Sequence, residues 1–186
     1  MKMEFFGDTY DVIKQSFLQW LNDFGKWVVH PMFSENVTAE DAENYSSLLG
    51  ARVISTEILI GNTNRSIYFR AAVNCIDHLF LDPDIGIRIN DNNGMNKQSY
   101  IFIKELISIA SRSPELLTLV FDQSFDRRYE REQLEEKLSI LNSNGIYSKA
   151  YVSHTKFILV SCNRSLLENA ISTVLRKSRL PSARFI

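Results

Sequence analysis

The chain has 186 residues, of which 45% are hydrophobic and 23% are charged, and its formal net charge at pH 7 is −1. These values are ordinary for one globular domain, so we expect a single domain over residues 1–186. The near-neutral charge excludes a strong overall field for nucleic acid, and the lack of a long uninterrupted apolar run argues against a membrane span.

The N-terminal residues and the cysteines indicate a compartment. Residues 1–12 lack the basic start and the long apolar run of a signal peptide, which predicts a cytoplasmic protein. Cys75 and Cys162 have no metal-ligand spacing, and two isolated thiols are typical of a reducing environment. We therefore expect no membrane partner, while the sequence leaves the oligomeric state open.

Helix-type and strand-type patterns alternate along the first half of the chain. Apolar residues from Tyr10 to Phe24 recur at helical spacing, and Gly25 is a suitable helix end. Thr38 with Asp41 is a typical helix start. The patterns predict, in chain order, a helix over 10–24, a strand over 26–33, a helix over 38–50, a strand over 51–60 and a helix over 65–77.

The second half of the chain continues the alternation of strands and helices, except that two consecutive strands are predicted near its end. It predicts a strand over 78–82, a polar loop over 91–98, a helix over 99–113, a strand over 115–124, a helix over 126–143, two strands within 146–162 joined at Ser153-His154-Thr155, and a helix over 163–177. Strands that alternate with helices indicate an α/β fold with an open, mostly parallel sheet and helices on both faces. The two late strands predict a C-terminal antiparallel hairpin.

Two of the predicted strands end in carboxylates. Asp82 and Asp84 flank Pro83 after the first of them, and Asp122 lies at the end of the strand over 115–124. Ligands of open α/β sheets bind outside the carboxyl ends of the strands, so we expect the three carboxylates to converge there. Their mutual repulsion needs a cation, a proton or basic side chains, and Mg²⁺ or Mn²⁺ prefers such oxygen ligands. In the structural alternative, Asp82 caps the turn and Pro83 ends the strand.

The motif Asp-Pro-Asp fits three kinds of chemistry unequally. A haloacid-dehalogenase-type phosphatase needs a small hydroxylated residue soon afterwards, and an amino-methyltransferase needs a second proline and an aromatic residue; the segment 82–87 has neither. The chain also lacks a glycine-rich loop after its first strand, so we expect no S-adenosylmethionine cofactor. A metal-dependent nuclease or phosphoesterase needs only clustered carboxylates with a base or a cation.

Asp8, Asp11 and Lys14 lie three residues apart, on one edge of the first predicted helix. One interpretation is that Asp11 holds Lys14 so that the ammonium reaches a substrate phosphate. The other is that Asp8 caps the helix and Asp11 stabilises its first turn.

Three further residues are candidates for substrate contact or proton transfer. His154, in the predicted hairpin turn, is either a general base or an exposed imidazole. Arg128 either turns toward a bound phosphate or belongs to a solvated, ion-paired helix. Ser124 either contacts the substrate or caps that helix.

Four segments together resemble a group of uncharacterised bacterial proteins: FGDTYDVIK (6–14), PMF (31–33), LFLDPDIGI (79–87) and VFDQS (120–124). The group has a Rossmann-like, methyltransferase-related core and an Asp-Pro-Asp-(Asn/Thr)-Gly-Leu signature. In this chain Ile85 stands where that signature has its polar residue. The resemblance implies a Rossmann-like fold, and it transfers no activity.

Two main hypotheses of function follow. The first is a metal-assisted enzyme acting on a phosphate-containing substrate such as nucleic acid, with Asp82, Asp84 and Asp122 as ligands and Lys14 or His154 in catalysis. The second is a non-catalytic, methyltransferase-like module that has lost its cofactor and binds a protein or nucleic-acid partner, using the basic C-terminal segment after Arg176. A third, weaker hypothesis is an active methyltransferase with an unusual cofactor site.

Overall fold

The computed structural model describes residues 3–90 and 96–186, so most of the predicted polar loop over 91–98 lies outside the described residues. The strands are β1 Trp27–His30, β2 Arg52–Val53, β3 His78–Leu81, β4 Gly86–Arg88, β5 Tyr100–Phe102, β6 Thr118–Phe121, β7 Tyr147–Val152 and β8 Lys156–Ser161. The α-helices are α1 Thr9–Leu21, α2 Ala39–Leu49, α3 Arg65–Tyr68, α4 Arg70–Val73, α5 Ile103–Ala110, α6 Glu130–Ser143 and α7 Arg164–Ser178.

Six strands form the main sheet, in the order β2-β1-β3-β6-β8-β7. Strands β2, β1, β3 and β6 are parallel, whereas β8 runs antiparallel to both of its neighbours. The remaining two strands, β4 and β5, form a small parallel ribbon. The predicted α/β architecture, with a mostly parallel sheet and a C-terminal antiparallel hairpin, is therefore confirmed.

Side chains of the central strands alternate between two apolar cores, one on each face of the sheet. Phe80 packs with residues of α1, α2 and α7, on what we call the α1 face. Leu79 and Leu81 pack with residues of α3, α4, α5 and α6, on what we call the α5 face. Both faces are thus covered, which explains why the central strands read as continuous apolar runs.

The starts of the first two long helices match the sequence patterns. The side chain of Asp8 accepts a hydrogen bond from the backbone N–H of Asp11 at 3.0 Å, which makes Asp8 the N-cap of α1. Thr38 and Asp41 form a reciprocal capping box on α2, and that helix ends at Gly50, whose φ of 65° is left-handed. These contacts confirm the predicted caps, because each one satisfies a backbone N–H that lacks a partner within the helix.

The strand predicted over 51–60 is reduced to the two residues of β2. This strand lies at the edge of the sheet and pairs only with Val28 and Val29 of β1. Because β1 stops before Pro31, whose nitrogen carries no hydrogen, the ladder has no partner to continue on. The β-branched composition of residues 51–60 predicted a longer strand than the structure contains, because a strand also needs a neighbouring strand to pair with.

Two predicted helices are also different in the structure. Residues 65–77 form two single turns, α3 and α4, separated at Phe69. Residues 100–102, predicted as the first turn of a helix over 99–113, form strand β5, and α5 begins only at Ile103. Tyr100, Ile101 and Phe102 favour β structure, and pairing with β4 decides the outcome.

None of the described helices combines the length and the apolar character needed to cross a bilayer.

Candidate functional site

The sheet has a topological switch point between β1 and β3. From β1 the chain moves outward to β2 on one side, and β3 lies on the other side of β1. The two strand ends are joined there by a hydrogen bond from Asp82 N to His30 O, 3.1 Å long. In open α/β sheets, ligands bind in the crevice outside the carboxyl ends of the strands at such a point. We therefore expect a ligand-binding site outside the carboxyl ends of these strands.

A cavity of about 270 Å³ opens at this edge, between the end of β3 and the start of α1. We call it the acidic cavity, and the charged residues of its described lining are Asp8, Asp11, Lys14, Asp82 and Asp84. Rings of Phe5, Tyr10 and Phe121 form the apolar part of its wall. The structure thus brings together four residues that the sequence predicted for the site: Asp11, Lys14, Asp82 and Asp84.

The lysine of the acidic cavity is held between two carboxylates. Lys14 Nζ lies 2.9 Å from Asp11 Oδ1 and 2.9 Å from Asp82 Oδ2. The three side chains are almost fully buried, with residue exposures of 6% for Lys14 and 1% for each aspartate. Asp11 also accepts a hydrogen bond from Gly7 N, 2.9 Å long. The predicted pairing of Asp11 with Lys14 is confirmed, and Asp82 is a second carboxylate bound to the same ammonium.

These contacts, together with burial, determine the protonation states of Lys14 and Tyr45. Burial by itself lowers the pKa of Lys14, but the neighbouring charges of Asp82 and Asp11 outweigh it, so the pKa lies above its ordinary value. The ammonium therefore stays charged at neutral pH and cannot accept a proton as a base. The buried hydroxyl of Tyr45 donates a hydrogen bond to Asp82, and burial raises the pKa of Tyr45 well above its ordinary value.

Asp122 does not belong to the acidic cavity. Side chains alternate along a strand, so Asp82 shares the α1 face with Phe80, whereas Asp122 shares the α5 face with Val120. Lys137 Nζ lies 2.7 Å from Asp122 Oδ2, and the carboxylate is fully buried. Burial is the larger influence on the pKa of Lys137 and lowers it, against the opposing effect of Asp122.

The prediction that Asp82, Asp84 and Asp122 converge on one site is therefore wrong. Two of these carboxylates point to opposite faces of the sheet, and each of the two has a lysine as its counterion. Over residues 3–90 and 96–186, no group of three or more histidine, cysteine, aspartate or glutamate side chains is arranged to hold a metal ion. The repulsion between carboxylates could be offset by a metal cation, by a proton or by basic side chains. For Asp82 and Asp122 this chain uses basic side chains.

Asp122 instead fastens the β4–β5 ribbon to the main sheet. Its Oδ1 accepts hydrogen bonds from Ile87 N at 3.0 Å and from Ser124 N at 3.1 Å. The hydroxyl of Ser124 bonds to the same carboxylate and to Ile87 O. Ser124 thus completes this clamp, and it caps no helix, because α6 begins only at Glu130.

Two other predicted site residues lie on the surface. Arg128 has a side chain that is 78% exposed and pairs with Asp126 at 3.3 Å, which agrees with the solvated interpretation. His154 is exposed in the turn between β7 and β8, at the same end of the sheet as the acidic cavity. Neither residue is part of the described cavity lining.

Sequence reasoning missed two residues of these networks. Tyr45 lies on the buried stripe of α2 with Ala42 and Leu49. A buried tyrosine hydroxyl normally needs a partner, which was the available signal. Lys137 lies on the inner stripe of α6 beside Leu134 and Leu138, and a lysine in such a stripe predicts a buried carboxylate partner.

A second polar feature lies at the end of β1, on the α5 face. His30 is 1% exposed, and its ring packs edge-on against that of Tyr68, with 5.0 Å between ring centroids. Neither ring nitrogen of His30 nor the hydroxyl of Tyr68 has a hydrogen-bond partner in the described parts of the chain. Burial lowers the pKa of His30 to about 4, so the imidazole is neutral at pH 7.

Comparison with known proteins leaves the assignment of function to the geometry. No protein-family model, no curated protein and no solved structure matches this chain.

Proposed function

We propose that this chain is a binding protein whose acidic cavity takes a small organic cation, such as an alkylamine or a guanidine. The observation that carries the proposal is the charge of the cavity. The described part of its lining holds four carboxylates and one lysine, which gives a formal charge of −3 for these residues. That charge attracts a cation and repels a free phosphate.

The aromatic wall supports the same ligand class. Carboxylates next to aromatic faces bind cations through both charge and the ring quadrupole. Within the cavity, Lys14 Nζ already lies 4.7 Å from the ring centroid of Phe121. Tyr10 packs against Phe121 and is 40% exposed, so part of its ring is available to a ligand. A second cation entering beside Asp8 would meet the same type of surface.

The position and size of the cavity also favour a small ligand. It lies outside the carboxyl ends of β3 and β6, at the edge of the sheet where ligands of open α/β folds bind. Its volume of about 270 Å³ is at the lower end for small-molecule sites. An amine of a few carbon atoms fits this space.

A metal-assisted enzyme acting on a phosphate-containing substrate is the second candidate function. It is supported by the lining of the acidic cavity, where Asp8 and Asp84 accompany the buried pair Asp11 and Asp82, because Mg²⁺ and Mn²⁺ prefer carboxylate oxygen ligands. Against it, Lys14 already neutralises the inner carboxylates, and Asp122 faces the other side of the sheet. The proposal of an organic cation requires neither a metal nor a catalytic base.

We also propose a Rossmann-like, methyltransferase-like fold for the chain. It is supported by the switch point and by the reversed strand β8, which lies between the mutually parallel strands β6 and β7. Without a glycine-rich loop after β1, the proposal includes no S-adenosylmethionine. A cytoplasmic location is likewise a proposal, supported by the free thiols of Cys75 and Cys162.

The contacts of the basic C-terminal segment give less support to a nucleic-acid partner than the sequence alone gave. Two cations of the basic C-terminal segment are matched by one acidic residue, since Lys177 lies 2.8 Å and Arg176 lies 3.9 Å from Asp23. Arg184 donates a hydrogen bond to Val152 O and so helps to hold the segment against β7. These contacts favour a structural role for the segment over a contact surface.

Calorimetric titration with butylamine, agmatine and MnCl₂ tests the proposal, with butanol as the uncharged control. We expect saturable binding of the two amines and none of butanol. The variant Asp8→Asn keeps the helix cap, since asparagine caps as well as aspartate, but it removes one charge from the rim. It should weaken amine binding by roughly three- to tenfold.

Asp126→Asn is the matched control, because Asp126 lies outside the acidic cavity and, like Asp8, accepts a backbone hydrogen bond, in this case from Arg128 N. It should leave amine affinity unchanged. Binding of Mn²⁺ that is lost in Asp82→Asn, without binding of either amine, would support the metal-assisted enzyme instead. Amine binding that is equal in the wild type, Asp8→Asn and Asp126→Asn would refute the acidic cavity as the site.

A further inference from the structure

Exposed aromatic side chains lie beside the acidic cavity. Phe5, Phe6 and Tyr10 are 56%, 39% and 40% exposed, and they fall within six consecutive residues of the chain. We call these three residues the aromatic rim, because Phe5 and Tyr10 line the cavity and Phe6 follows Phe5 directly. Single exposed apolar residues are ordinary on a protein surface, whereas a group of them beside a charged cavity is typical of an interaction site.

Backbone contacts with the start of α1 hold the aromatic rim in place. Asp8 N donates a hydrogen bond to Phe5 O, 3.1 Å long, and Gly7 N donates to Asp11 Oδ2 at 2.9 Å. Gly7 has a φ of 77°, in the left-handed region that favours glycine. The chain therefore turns at Gly7 and is tied to a carboxylate of the acidic cavity, which keeps Phe5 and Phe6 beside that cavity.

Two rings of the aromatic rim also pack against buried aromatic residues. The ring of Phe6 lies edge-on to that of Tyr45, with 6.4 Å between centroids, and Tyr45 donates a hydrogen bond to Asp82. The ring of Tyr10 lies edge-on to that of Phe121, with 5.7 Å between centroids. Rings that are already held lose little conformational freedom when a partner binds. The aromatic rim is thus an ordered apolar surface next to carboxylates.

This arrangement distinguishes between carriers of the organic cation. A small free amine uses the acidic cavity and leaves most of the aromatic rim in water. A lysine side chain in a protein segment uses both, because its four-carbon stem and ammonium resemble butylamine and its chain neighbours can pack on the rim. Aromatic residues are enriched in protein–protein interfaces and supply much of their binding energy.

A membrane surface is the other partner that offers cations beside apolar groups. The ammonium of a phospholipid head group has a phosphate next to it, and the carboxylates of the acidic cavity repel that phosphate. A lysine in a protein segment needs no anion beside it. The charge of the acidic cavity therefore favours a protein partner over a lipid surface.

We propose that the acidic cavity and the aromatic rim together bind a protein partner through a lysine side chain flanked by apolar residues. The ammonium enters the cavity beside the half-buried Asp8, and the flanking residues pack on Phe5, Phe6 and Tyr10. This inference rests on the proposed function, since it names the carrier of the organic cation.

Calorimetric titration of the full chain with butylamine and three capped pentapeptides tests the inference. The peptides are Gly-Leu-Lys-Leu-Gly, Gly-Gly-Lys-Gly-Gly and Gly-Leu-norleucine-Leu-Gly, where norleucine has the lysine stem without the ammonium. We expect the peptide with leucines and lysine to bind about tenfold more tightly than the peptide with glycines and lysine, because the leucines bury apolar surface on the rim. The norleucine peptide should show no saturable binding.

The variant Phe6→Ala tests the aromatic rim separately from the acidic cavity, because Phe6 is not among the described lining residues of that cavity. The ratio of the affinity for the leucine–lysine peptide to the affinity for butylamine should fall about fivefold. Tyr147→Ala is the matched control. Tyr147 is also an aromatic residue that is 39% exposed, but it begins β7 at the opposite end of the sheet, so the ratio should equal that of the wild type.

The outcomes separate this inference from the proposed function. Butylamine binding with equal affinities for the two lysine peptides, or an unchanged ratio in Phe6→Ala, would overturn the inference and leave the proposed function in place. No binding of butylamine would overturn both. The inference also fails if the norleucine peptide binds as tightly as its lysine counterpart. Binding of phosphatidylcholine vesicles that is lost in Phe6→Ala, without binding of any peptide, would identify a lipid surface instead.

Discussion

At the scale of single residues, the site is governed by the choice of counterion for buried carboxylates. Asp82 and Asp122 end neighbouring parallel strands, and the chain gives each of them a lysine from a helix on its own face, Lys14 or Lys137. A buried carboxylate without a counterion is far more costly than one in an ion pair. The ammonium groups therefore hold charge in place, and Lys14 does so at the wall of a cavity.

The variant Lys14→Met tests this role. It leaves Asp11 and Asp82 buried without their counterion, so we expect the free energy of unfolding in urea to fall by about 3–5 kcal/mol. Adding Asp82→Asn to Lys14→Met should restore part of the loss, because it removes one of the unpaired charges. Lys26→Met is the control: the Lys26 side chain is 62% exposed where it pairs with Asp77, and the expected loss is below about 1 kcal/mol. Similar losses in both single variants would contradict the argument.

The identities of the site residues were easier to predict than their partners. The sequence placed Asp82 and Asp84 at a strand end and linked Asp11 with Lys14, because strand ends and helical spacing are local patterns. It could not tell which face Asp122 would choose, since a shift of one residue in a strand reverses the direction of its side chain. A long-range partner such as Tyr45, on another helix, leaves no local pattern at Asp82.

At the scale of elements, the β4–β5 ribbon depends on the close approach of Gly86 to Asp122. Gly86 has a φ of 140°, and a Cβ atom built on it would lie 2.0 Å from Asp122 Oδ1 and 2.9 Å from Asp122 Cα. No side chain fits at this position without displacing the carboxylate that accepts from Ile87 N. Gly86, two residues after the Asp-Pro-Asp motif, is therefore needed to attach the β4–β5 ribbon to the main sheet.

Gly86→Ala should therefore destabilise the protein strongly, by at least about 3 kcal/mol in urea unfolding, because it combines a disallowed backbone conformation with a steric clash. Gly61→Ala is the matched control. No atom lies within 4 Å of a Cβ built on Gly61, and its φ is outside the positive range, so we expect a change within about 0.5 kcal/mol. A small effect at Gly86 would mean that the ribbon can move away from the sheet at little cost.

The same ribbon shows why some elements were predicted incorrectly. Residues 100–102 have apolar spacing that fits both a helix and a strand, and the distant partner β4 decides between them. The strand predicted over 51–60 fails for the complementary reason, since β1 is too short to pair with it beyond Val29. The long helices α1, α2 and α7 were predicted well, because their periodicity and their end signals lie within the elements themselves, whereas α6 begins at Glu130 rather than at the predicted residue 126.

At the scale of the whole molecule, one pair of buried polar residues differs from the satisfied networks around Lys14 and Lys137. On the α1 face, Asp11, Lys14, Asp82 and Tyr45 satisfy one another. On the α5 face, His30 and Tyr68 lie in the core without hydrogen-bond partners in the described parts of the chain. A neutral imidazole tolerates such burial far better than a charged one, so the stability of the native state depends on keeping His30 unprotonated.

This dependence predicts a loss of stability in mild acid. The pKa of His30 is about 4 in the folded chain, against an ordinary value of 6.5, so between these values the unfolded chain binds a proton that the native state does not. Stability due to neutral His30 is therefore complete above about pH 6.5 and falls as the pH approaches 4, by roughly 3 kcal/mol at ~1.4 kcal/mol per pH unit. Urea unfolding measured from pH 7.5 to 4 should show a gradual fall of this size.

The variant His30→Phe separates this effect from the titration of other groups. Phenylalanine keeps an aromatic ring beside Tyr68 and Phe69 but cannot be protonated, so the variant should lose less stability than the wild type over the same pH interval. His154→Gln, at the exposed turn, should follow the wild-type curve, because it leaves the buried imidazole of His30 unchanged. If His30→Phe and the wild type lose stability in parallel, the acid sensitivity arises elsewhere, and the buried imidazole does not limit the stability of the fold.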